Sequence, residues 1–167
     1  ALVLHPRPTA VATLVKAVGS RLASAAEAKS VTLELDYGNQ DGVIVADPVQ
    51  LDRALQNLLN NAVKFTPAGG RAALKVSRVG ADVEFRVTDT GVGIPEEEQV
   101  RLFTRFFRSS VATRLAIQGT GLGLVIVKRI VEAHGGSVSI VSKPDVGTTV
   151  TVRLPADGAS ELEVGAA

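Results

Sequence analysis

Three polar residues on a predicted helix are the first candidates for chemistry. Asn57, Asn61 and Lys64 are spaced i, i+4 and i+7, so their side chains share one face of the helix. Asparagine costs about half a kcal/mol relative to alanine in a helix, and Glu, Lys or Gln would suit a solvated face better. Amide oxygens suit a Mg²⁺ ion that keeps several waters, and an ammonium group suits phosphate oxygens. The spacing alone leaves a ligand site and a solvated helix face equally open.

Two glycine-rich segments offer a second kind of site. Asp89-Thr90-Gly91-Val92-Gly93 follows an apolar strand, where a carboxylate can accept from an exocyclic amine and glycine lets a flat ring approach the backbone. Taken alone, this short segment is better explained as an ordinary turn. Gly119-Thr120-Gly121-Leu122-Gly123 leads directly into a predicted helix, whose N-terminal amides can bind an anion. A flexible hinge is the weaker alternative there, and neither segment matches a Walker or dinucleotide-binding loop.

An aromatic segment precedes the second glycine loop. Phe103, Phe106 and Phe107 match one face of a helix, and in isolation they are better explained as core residues. Arg108 follows them and is placed to reach a phosphate from the end of that helix.

The periodicity of apolar residues predicts the elements that must position these side chains. Asp47-Pro48 is typical of a helix N-cap followed by proline at the first helical position. The predicted helices are 8–28, 48–65, one from Pro95, and 124–134; the predicted strands are 31–35, 43–45, 72–79, 82–88, 137–142 and 147–154. We therefore expect an α+β fold, a two-layer sandwich whose mixed, mostly antiparallel sheet is covered by helices on one face.

The composition excludes several functional classes. Eighteen basic residues against 17 acidic ones give a net charge of +1, and the basic residues are dispersed, so we expect no nucleic-acid partner. No apolar run approaches the roughly 20 residues of a membrane span, and the start does not have the pattern of a signal peptide. The chain has no cysteine, which excludes disulfides and thiol chemistry. These features favour a cytoplasmic domain.

Taken in order, the motifs resemble those of the catalytic ATP-binding domain of bacterial sensor histidine kinases. They are Asn-x-x-x-Asn-Ala-x-Lys, Asp-x-Gly-x-Gly, Phe-x-x-Phe-Phe-Arg, Gly-Thr-Gly-Leu-Gly-Leu and Gly147-Thr148. The resemblance implies a Bergerat-type ATP-binding fold over residues 8–155. Residues 1–7 would then be an N-terminal segment from an upstream domain, and residues 156–167 a loose C-terminal tail.

The resemblance also implies roles at the phosphate end of a bound Mg²⁺-ATP. Asn61 would bind Mg²⁺, Asn57 would line the metal and phosphate side, and Lys64 would meet the phosphates. Residues 109–123 would form a mobile lid over ATP, and Arg108 would assist the γ-phosphate. The nucleotide-binding residues implied in the lid are Gly119, Thr120, Gly121, Leu122 and Gly123.

At the base end, the resemblance implies that Asp89 recognises the adenine amino group. Gly91 and Gly93 would shape the pocket, and Thr148 would support the adenine end. Phe65 stands where tyrosine is common in the family, so the ring is kept but any hydroxyl contact is lost.

Relatives with the same fold remain alternatives. DNA gyrase B subunits, mismatch-repair ATPases and a chaperone class are understood to use a Glu, one helical turn before the metal Asn, to activate water. This chain has Asn57 there, and an amide cannot take a proton at neutral pH, so efficient hydrolysis is disfavoured. Anti-sigma serine kinases share the fold, but the Phe-Phe-Arg segment and the long lid favour histidine kinases. A degenerate nucleotide-binding scaffold has no support, because every expected motif is present.

The same resemblance implies partners. The phosphoacceptor domain of these kinases is a helical hairpin with a His followed by an acid, and neither His5 nor His134 has that context. We expect an excised catalytic domain, monomeric by itself. The full-length protein would be a homodimer anchored in the inner membrane, would carry its own phosphoacceptor domain, and would act on a response regulator.

Overall fold

The computed structural model describes residues 2–38, 42–115, 117, 119 and 121–158. Within them, no helix combines the length and apolar character needed to cross a membrane. The strands are β1 (Arg7–Ala10), β2 (Thr32–Asp36), β3 (Val43–Ala46), β4 (Arg71–Val79), β5 (Asp82–Asp89), β6 (Ser137–Lys143) and β7 (Gly147–Pro155). The helices are α1 (Val11–Ala28), α2 (Pro48–Lys64), α3 (Glu96–Gln99), α4 (Ser110–Arg114) and α5 (Gly123–Ala133).

Five strands form one mixed sheet in the order β2-β4-β5-β7-β6. Only β2 and β4 pair in parallel, and the other three pairs are antiparallel. Strands β1 and β3 form a separate antiparallel pair. The mixed, mostly antiparallel sheet expected from the sequence is therefore confirmed.

One face of the sheet packs against the long helices. Alternate residues of β4, β5 and β7 are buried, as are the apolar sides of α1, α2 and α5. Phe85 at the centre of β5 is 0% exposed. The opposite face is polar, and its buried carboxylate, Glu84, binds Arg86 and Arg153 at 2.9 and 2.8 Å. The chain thus forms the predicted sandwich with helices on one face.

The start of the first helix differs from its prediction. Residues 8–10 were expected in the helix, but they belong to β1 and pair with β3. Proline at position 8 disfavours the helical conformation for Arg7 before it, and the Thr9 hydroxyl donates to the Ala46 carbonyl at 3.2 Å. Helix α1 therefore begins only at Val11.

The aromatic segment also differs from its prediction, because residues 100–107 form turns rather than a helix. Phe106 has φ +62° and its side chain is 71% exposed, while Phe103 and Phe107 are partly buried. The three rings therefore do not form one buried face. The apolar periodicity predicts no helix within residues 109–118, yet Ser110–Arg114 form α4, capped by the Ser109 hydroxyl.

The predicted tail begins with an ordered contact. Ala156 is buried, its N–H donates to the Ala81 carbonyl, and its carbonyl accepts from Val45 N–H. The packed domain therefore extends past the predicted boundary at 155. Residues 159–167 lie outside the described residues.

Asp47 holds the N-terminus of α2 as the sequence predicts. Its Oδ1 accepts from Val49 and Gln50 N–H, both at 3.1 Å, and its Oδ2 accepts from His5 N–H at 2.8 Å. The Asp47 N–H donates to His134 Nε2 at 3.0 Å. One residue therefore connects α2, the end of α5 and the N-terminal segment.

We expect Asp47→Ala to lower the free energy of unfolding by about 2 kcal/mol at pH 7, because it removes a helix cap and a bond to the N-terminal segment. Burial raises the pKa of Asp47, but N–H donors of His5, Gln50 and Val49 outweigh it and hold the pKa below its ordinary 3.8. The ionised group therefore stabilises the fold above about pH 3.8 and loses this effect as the pH falls further.

Urea unfolding of both proteins between pH 3 and 7 measures this effect. Asp47→Asn keeps an acceptor and should lose less stability than the alanine variant. An unchanged difference between the natural chain and Asp47→Ala down to pH 3 would contradict the assignment.

Candidate functional site

A cleft of about 320 Å³ lies where α2, α5 and the ends of the central strands meet. Residues of both glycine-rich segments and the polar face of α2 line this cleft. The sequence-predicted residues that line it are Asn57, Asn61, Lys64, Phe65, Asp89, Gly93, Arg108, Gly119, Gly121, Leu122, Gly123 and Thr148. Gly91 does not line it, and Thr120 lies outside the described residues. The fold thus gathers residues spread over more than half of the chain.

The amides of α2 face the first residue of α5. A β-carbon placed on Gly123 would lie 3.8 Å from Asn61 Nδ2 and 3.9 Å from Asn57 Oδ1. Helix α5 begins there without a side-chain cap from Leu122, so the N–H groups of its first turn can serve an anion. Amide oxygens and an anion-binding helix end therefore occupy one end of the cleft.

This donor set fits a Mg²⁺ ion carried by phosphate oxygens. Across the part of the chain that the structure describes, no three His, Cys, Asp or Glu side chains gather into a metal cluster. Magnesium is commonly held by few protein oxygens together with substrate phosphates and waters. The side-chain oxygens of Asn57 and Asn61 can provide such contacts.

The C-terminal end of α2 is held by Lys29, which sequence reasoning missed. Its ammonium group donates to the Val63 carbonyl at 3.1 Å and to the Lys64 carbonyl. Burial lowers the pKa of Lys29. A cation at this position satisfies terminal carbonyls and opposes the negative end of the helix dipole. It therefore fixes the turn that carries Lys64 and Phe65.

Asp89 ends β5 at the other end of the cleft. Its Oδ1 accepts from Gly91 N–H at 2.8 Å and from Thr148 N–H at 3.3 Å. Among the described residues both bonds go to Oδ1, which leaves Oδ2 to accept from a bound group. Burial raises the pKa of Asp89 to about 6, while these two backbone donors lower it. The carboxylate is therefore ionised at neutral pH but desolvated.

Glycines let three backbone segments close around Asp89. A β-carbon at Gly91 would collide with the Phe65 carbonyl, and one at Gly147 would collide with the Asp89 carbonyl. Gly93 has φ +69°, and a β-carbon there would collide with the Lys143 carbonyl. Gly91 does not line the cleft itself but lies against Asp89 and the Phe65 carbonyl, and its role in shaping the pocket stays a prediction.

Two further residues behind the cleft were missed in the sequence. Ser142 Oγ accepts from Ile94 N–H at 2.8 Å and lies 2.7 Å from Thr148 Oγ1. Gln99 Nε2 donates to the Ile94 and Ser142 carbonyls at 3.0 and 2.9 Å. The predicted hairpin, which brings 142 near 148, was a signal for Ser142, whereas nothing in the pattern singled out Gln99. The Ile94 side chain belongs to the apolar lining of the cleft, as does that of Ile140.

The segment over the cleft makes its own contacts. Arg108 donates to the Ile117 carbonyl, so in this conformation its guanidinium binds the backbone of the segment predicted to be a lid. Phe106 N–H donates to the Gly121 carbonyl at 3.1 Å, which joins the two ends of the segment. Glu98 accepts from the N–H and hydroxyl of Ser110 at 2.9 and 3.0 Å. A role for Arg108 at a phosphate remains a prediction, and it requires the contact with Ile117 to break.

Comparisons with known proteins show which family the chain belongs to. The model of the histidine kinase-, DNA gyrase B- and HSP90-like ATPase family matches residues 46–158. The sensor-like histidine kinase SenX3 of Mycobacterium tuberculosis (strain ATCC 25618 / H37Rv) is 40% identical over 146 residues, covering 87% of this chain and 35% of SenX3. The circadian input-output histidine kinase CikA of Synechococcus elongatus is 46% identical over 123 residues, covering 74% of this chain and 16% of CikA. The chain thus spans little more than a third, or less, of these relatives.

Solved structures of histidine kinases share the fold. Full-length ShkA in complex with AMPPNP superposes with a TM-score of 0.83 at 30% identity, covering 95% of this chain and 33% of ShkA. The mycobacterial sensor histidine kinase MprB superposes with a TM-score of 0.77 at 29% identity, covering 94% of this chain and 100% of that structure. The chain therefore belongs to the family of histidine kinase-, DNA gyrase B- and HSP90-like ATPases, and it corresponds to the catalytic domain of the sensor histidine kinases that it matches.

Proposed function

We propose that the cleft binds Mg²⁺-ATP and that the domain donates the γ-phosphate to a histidine on a separate helical-hairpin domain. The observation that carries the proposal is that the Asn57 and Asn61 amides lie within 4 Å of where a β-carbon on Gly123, the first residue of α5, would stand. This arrangement brings metal-binding oxygens and phosphate-binding N–H groups to the same end of one cleft. Magnesium bound there would neutralise phosphate charge, while Lys64 lies on the same face of α2.

The opposite end of the cleft suits adenine. Asp89 lines the cleft and its Oδ2 can accept a hydrogen bond, while Ile94 and Ile140 provide apolar surface for a flat ring. The bound nucleotide in the ShkA structure is AMPPNP, an adenine nucleotide. An adenine base at Asp89 and phosphates at Asn61 would use both ends of the cleft at once.

Phosphoryl transfer is favoured over hydrolysis because the phosphate end has no base for a water. Asn57 occupies the helical position from which it faces Gly123, and its amide cannot take a proton. Among the described residues that line the cleft, Asp89 is the only acid and no histidine is present. An acceptor histidine supplies its own nucleophile, so positioning of ATP is enough. The acceptor would belong to the same full-length protein and pass its phosphate to a response regulator.

The histidines of this chain do not fit the role of acceptor. His134 is 5% exposed, and its ring nitrogens contact the Ile130 carbonyl at 2.8 Å and Asp47 N–H at 3.0 Å. His5 lies near Asp47 at the N-terminus of α2, whereas the phosphate end of the cleft is further along α2 at Asn57 and Asn61. The acceptor must therefore come from another domain.

Asn61→Ala should remove the magnesium dependence of ATP binding. For the natural chain, nucleotide at a hundred times its dissociation constant adds about 2.7 kcal/mol of stability, a rise of about 5–10 °C in melting temperature. Thermal shifts with ATP, with and without Mg²⁺, measure the effect. Gln56→Ala removes an exposed amide from the same helix outside the cleft and should behave like the natural chain. A variant at Asn61 that keeps the full magnesium effect would refute the metal assignment.

Asp89→Asn should weaken ATP binding by about 1.5–3 kcal/mol, because the acceptor loses its charge. Since the pKa of Asp89 is raised to about 6, affinity should fall by about tenfold from pH 7.5 to pH 5 as the carboxylate is protonated. The nucleotide's own phosphates also titrate in this range, so the ratio of natural to Asp89→Asn affinity is the quantity to measure. A ratio that does not change with pH would contradict the role of the carboxylate.

Incubated alone with γ-labelled ATP, the chain should bind nucleotide, label itself hardly at all and release phosphate slowly. Adding the matching helical-hairpin domain should label that domain's histidine, and Arg108→Ala should slow this transfer by about tenfold or more. Arg105→Ala removes an exposed arginine of the same segment and should not slow it. Rapid phosphohistidine at His5 or His134, or fast phosphate release without the partner, would overturn the proposed reaction.

A further inference from the structure

Ser142 lies behind Thr148 and does not line the cleft, yet its hydroxyl has three polar neighbours. It accepts from Ile94 N–H at 2.8 Å, because a backbone N–H can only donate. It donates to the Gly147 carbonyl at 3.1 Å, because a carbonyl can only accept. Its third neighbour is Thr148 Oγ1 at 2.7 Å, where either oxygen can hold the proton. The first two contacts determine the direction of the third.

A serine hydroxyl has one proton and two lone pairs. With its proton on the Gly147 carbonyl, Ser142 can only accept from Thr148, and all three contacts are then hydrogen bonds. In the opposite direction Ser142 would donate to Thr148. The Ser142 oxygen would then face the Gly147 carbonyl oxygen with no proton between them. The Thr148 hydroxyl proton would have no protein acceptor among the described residues. Hydroxyl directions are assigned by such network satisfaction, and here it makes Thr148 donate to Ser142.

The consequence reaches the cleft, because Thr148 lines it. With its proton turned towards Ser142, Thr148 Oγ1 presents only lone pairs to a ligand. Asp89 beside it, paired with Thr148 across β5 and β7, also presents only an acceptor through Oδ2. The deep end of the cleft is therefore lined by acceptors from both side chains.

We propose that Ser142 is a positioning residue that sets base specificity: by taking the proton of Thr148, it makes this end of the cleft accept a 6-amino purine and reject a 6-oxo purine. A 6-amino group donates to Asp89 and Thr148, directly or through a water. A 6-oxo group at the same position brings an acceptor against these acceptors and loses the hydrogen bonds that the 6-amino group makes. The inference rests on the proposed function, because it requires a purine nucleotide in this cleft.

The test compares ATP with inosine triphosphate, which carries oxygen in place of the 6-amino group. In Ser142→Ala the Thr148 proton becomes free to donate to that oxygen. We expect the ratio of ATP to inosine triphosphate affinity, measured by calorimetry with Mg²⁺, to fall by about 3–10-fold. Ser142→Thr keeps the hydroxyl and should keep the natural ratio. Should the alanine variant not fold, Ser142→Cys has a weak donor of similar size and carries the same expectation.

Gln99→Ala is the matched control for loosening of the loop. Gln99 also holds Ile94 and the end of β6, but it makes no contact with the Thr148 hydroxyl. Its loss should weaken both nucleotides alike and leave their ratio unchanged. In a Thr148→Val background, which has no hydroxyl, Ser142→Ala should cause no further change in the ratio.

The outcomes separate this inference from the proposed function. If the natural chain binds neither nucleotide, both are wrong. If it binds ATP with Mg²⁺ but Ser142→Ala keeps the natural ratio, only the role of Ser142 is overturned. An equal fall of the ratio in Gln99→Ala would also overturn it, since loop position rather than the Thr148 proton would then set specificity.

Discussion

The candidate site depends on the close approach of three backbone segments around the end of β5. Gly91 lies against the Phe65 carbonyl, and Gly147 lies against the carbonyl of Asp89. A side chain at either position would collide with a backbone oxygen and force one of the segments to move. The backbone hydrogen bonds to Asp89 would not survive that displacement. Because the segments stay close, backbone N–H groups reach Asp89 Oδ1 and hold the carboxylate in one orientation. The orientation of the carboxylate therefore follows from this backbone packing, and both of these bonds go to Oδ1.

Helix α2 connects the end of the cleft at Asp89 to the end at Gly123. Its apolar side packs into the core through residues such as Leu55 and Leu59, which are 0% exposed, so it cannot rotate without opening the core. Its polar side then carries Asn57 and Asn61 to α5. The poor helix propensity of asparagine is offset by this burial, because tertiary packing contributes more to helix stability than propensity does. The same helix therefore contributes both to the core and to the lining of the cleft.

Much of this arrangement could be predicted because period and motif spacing are local properties. The helix and strand positions over residues 31–89 and from residue 123 onwards followed from apolar periodicity, and Asp47 was recognised from its cap pattern. Contacts between distant segments have no such signature. Lys29 reaches a helix end 34 and 35 residues away, and the exposed, strained Phe106 interrupts a spacing that matches a helix. Periodicity shows only which residues are apolar. A single residue with positive φ can interrupt the helix that the periodicity predicts.

The distribution of acids in the cleft is the basis of our proposal that the domain transfers a phosphate rather than hydrolysing ATP. The one carboxylate among the described lining residues, Asp89, lies at the end suited to a base and is already desolvated, which raises its pKa to about 6. A hydrogen bond donor from a bound base would restore part of the lost solvation of that charge. At the proposed phosphate end, amides, backbone N–H groups and Lys64 would stabilise negative charge without removing a proton from water. Such a site lowers the barrier mainly for an acceptor that arrives with its own nucleophile, as the ring nitrogen of a histidine does.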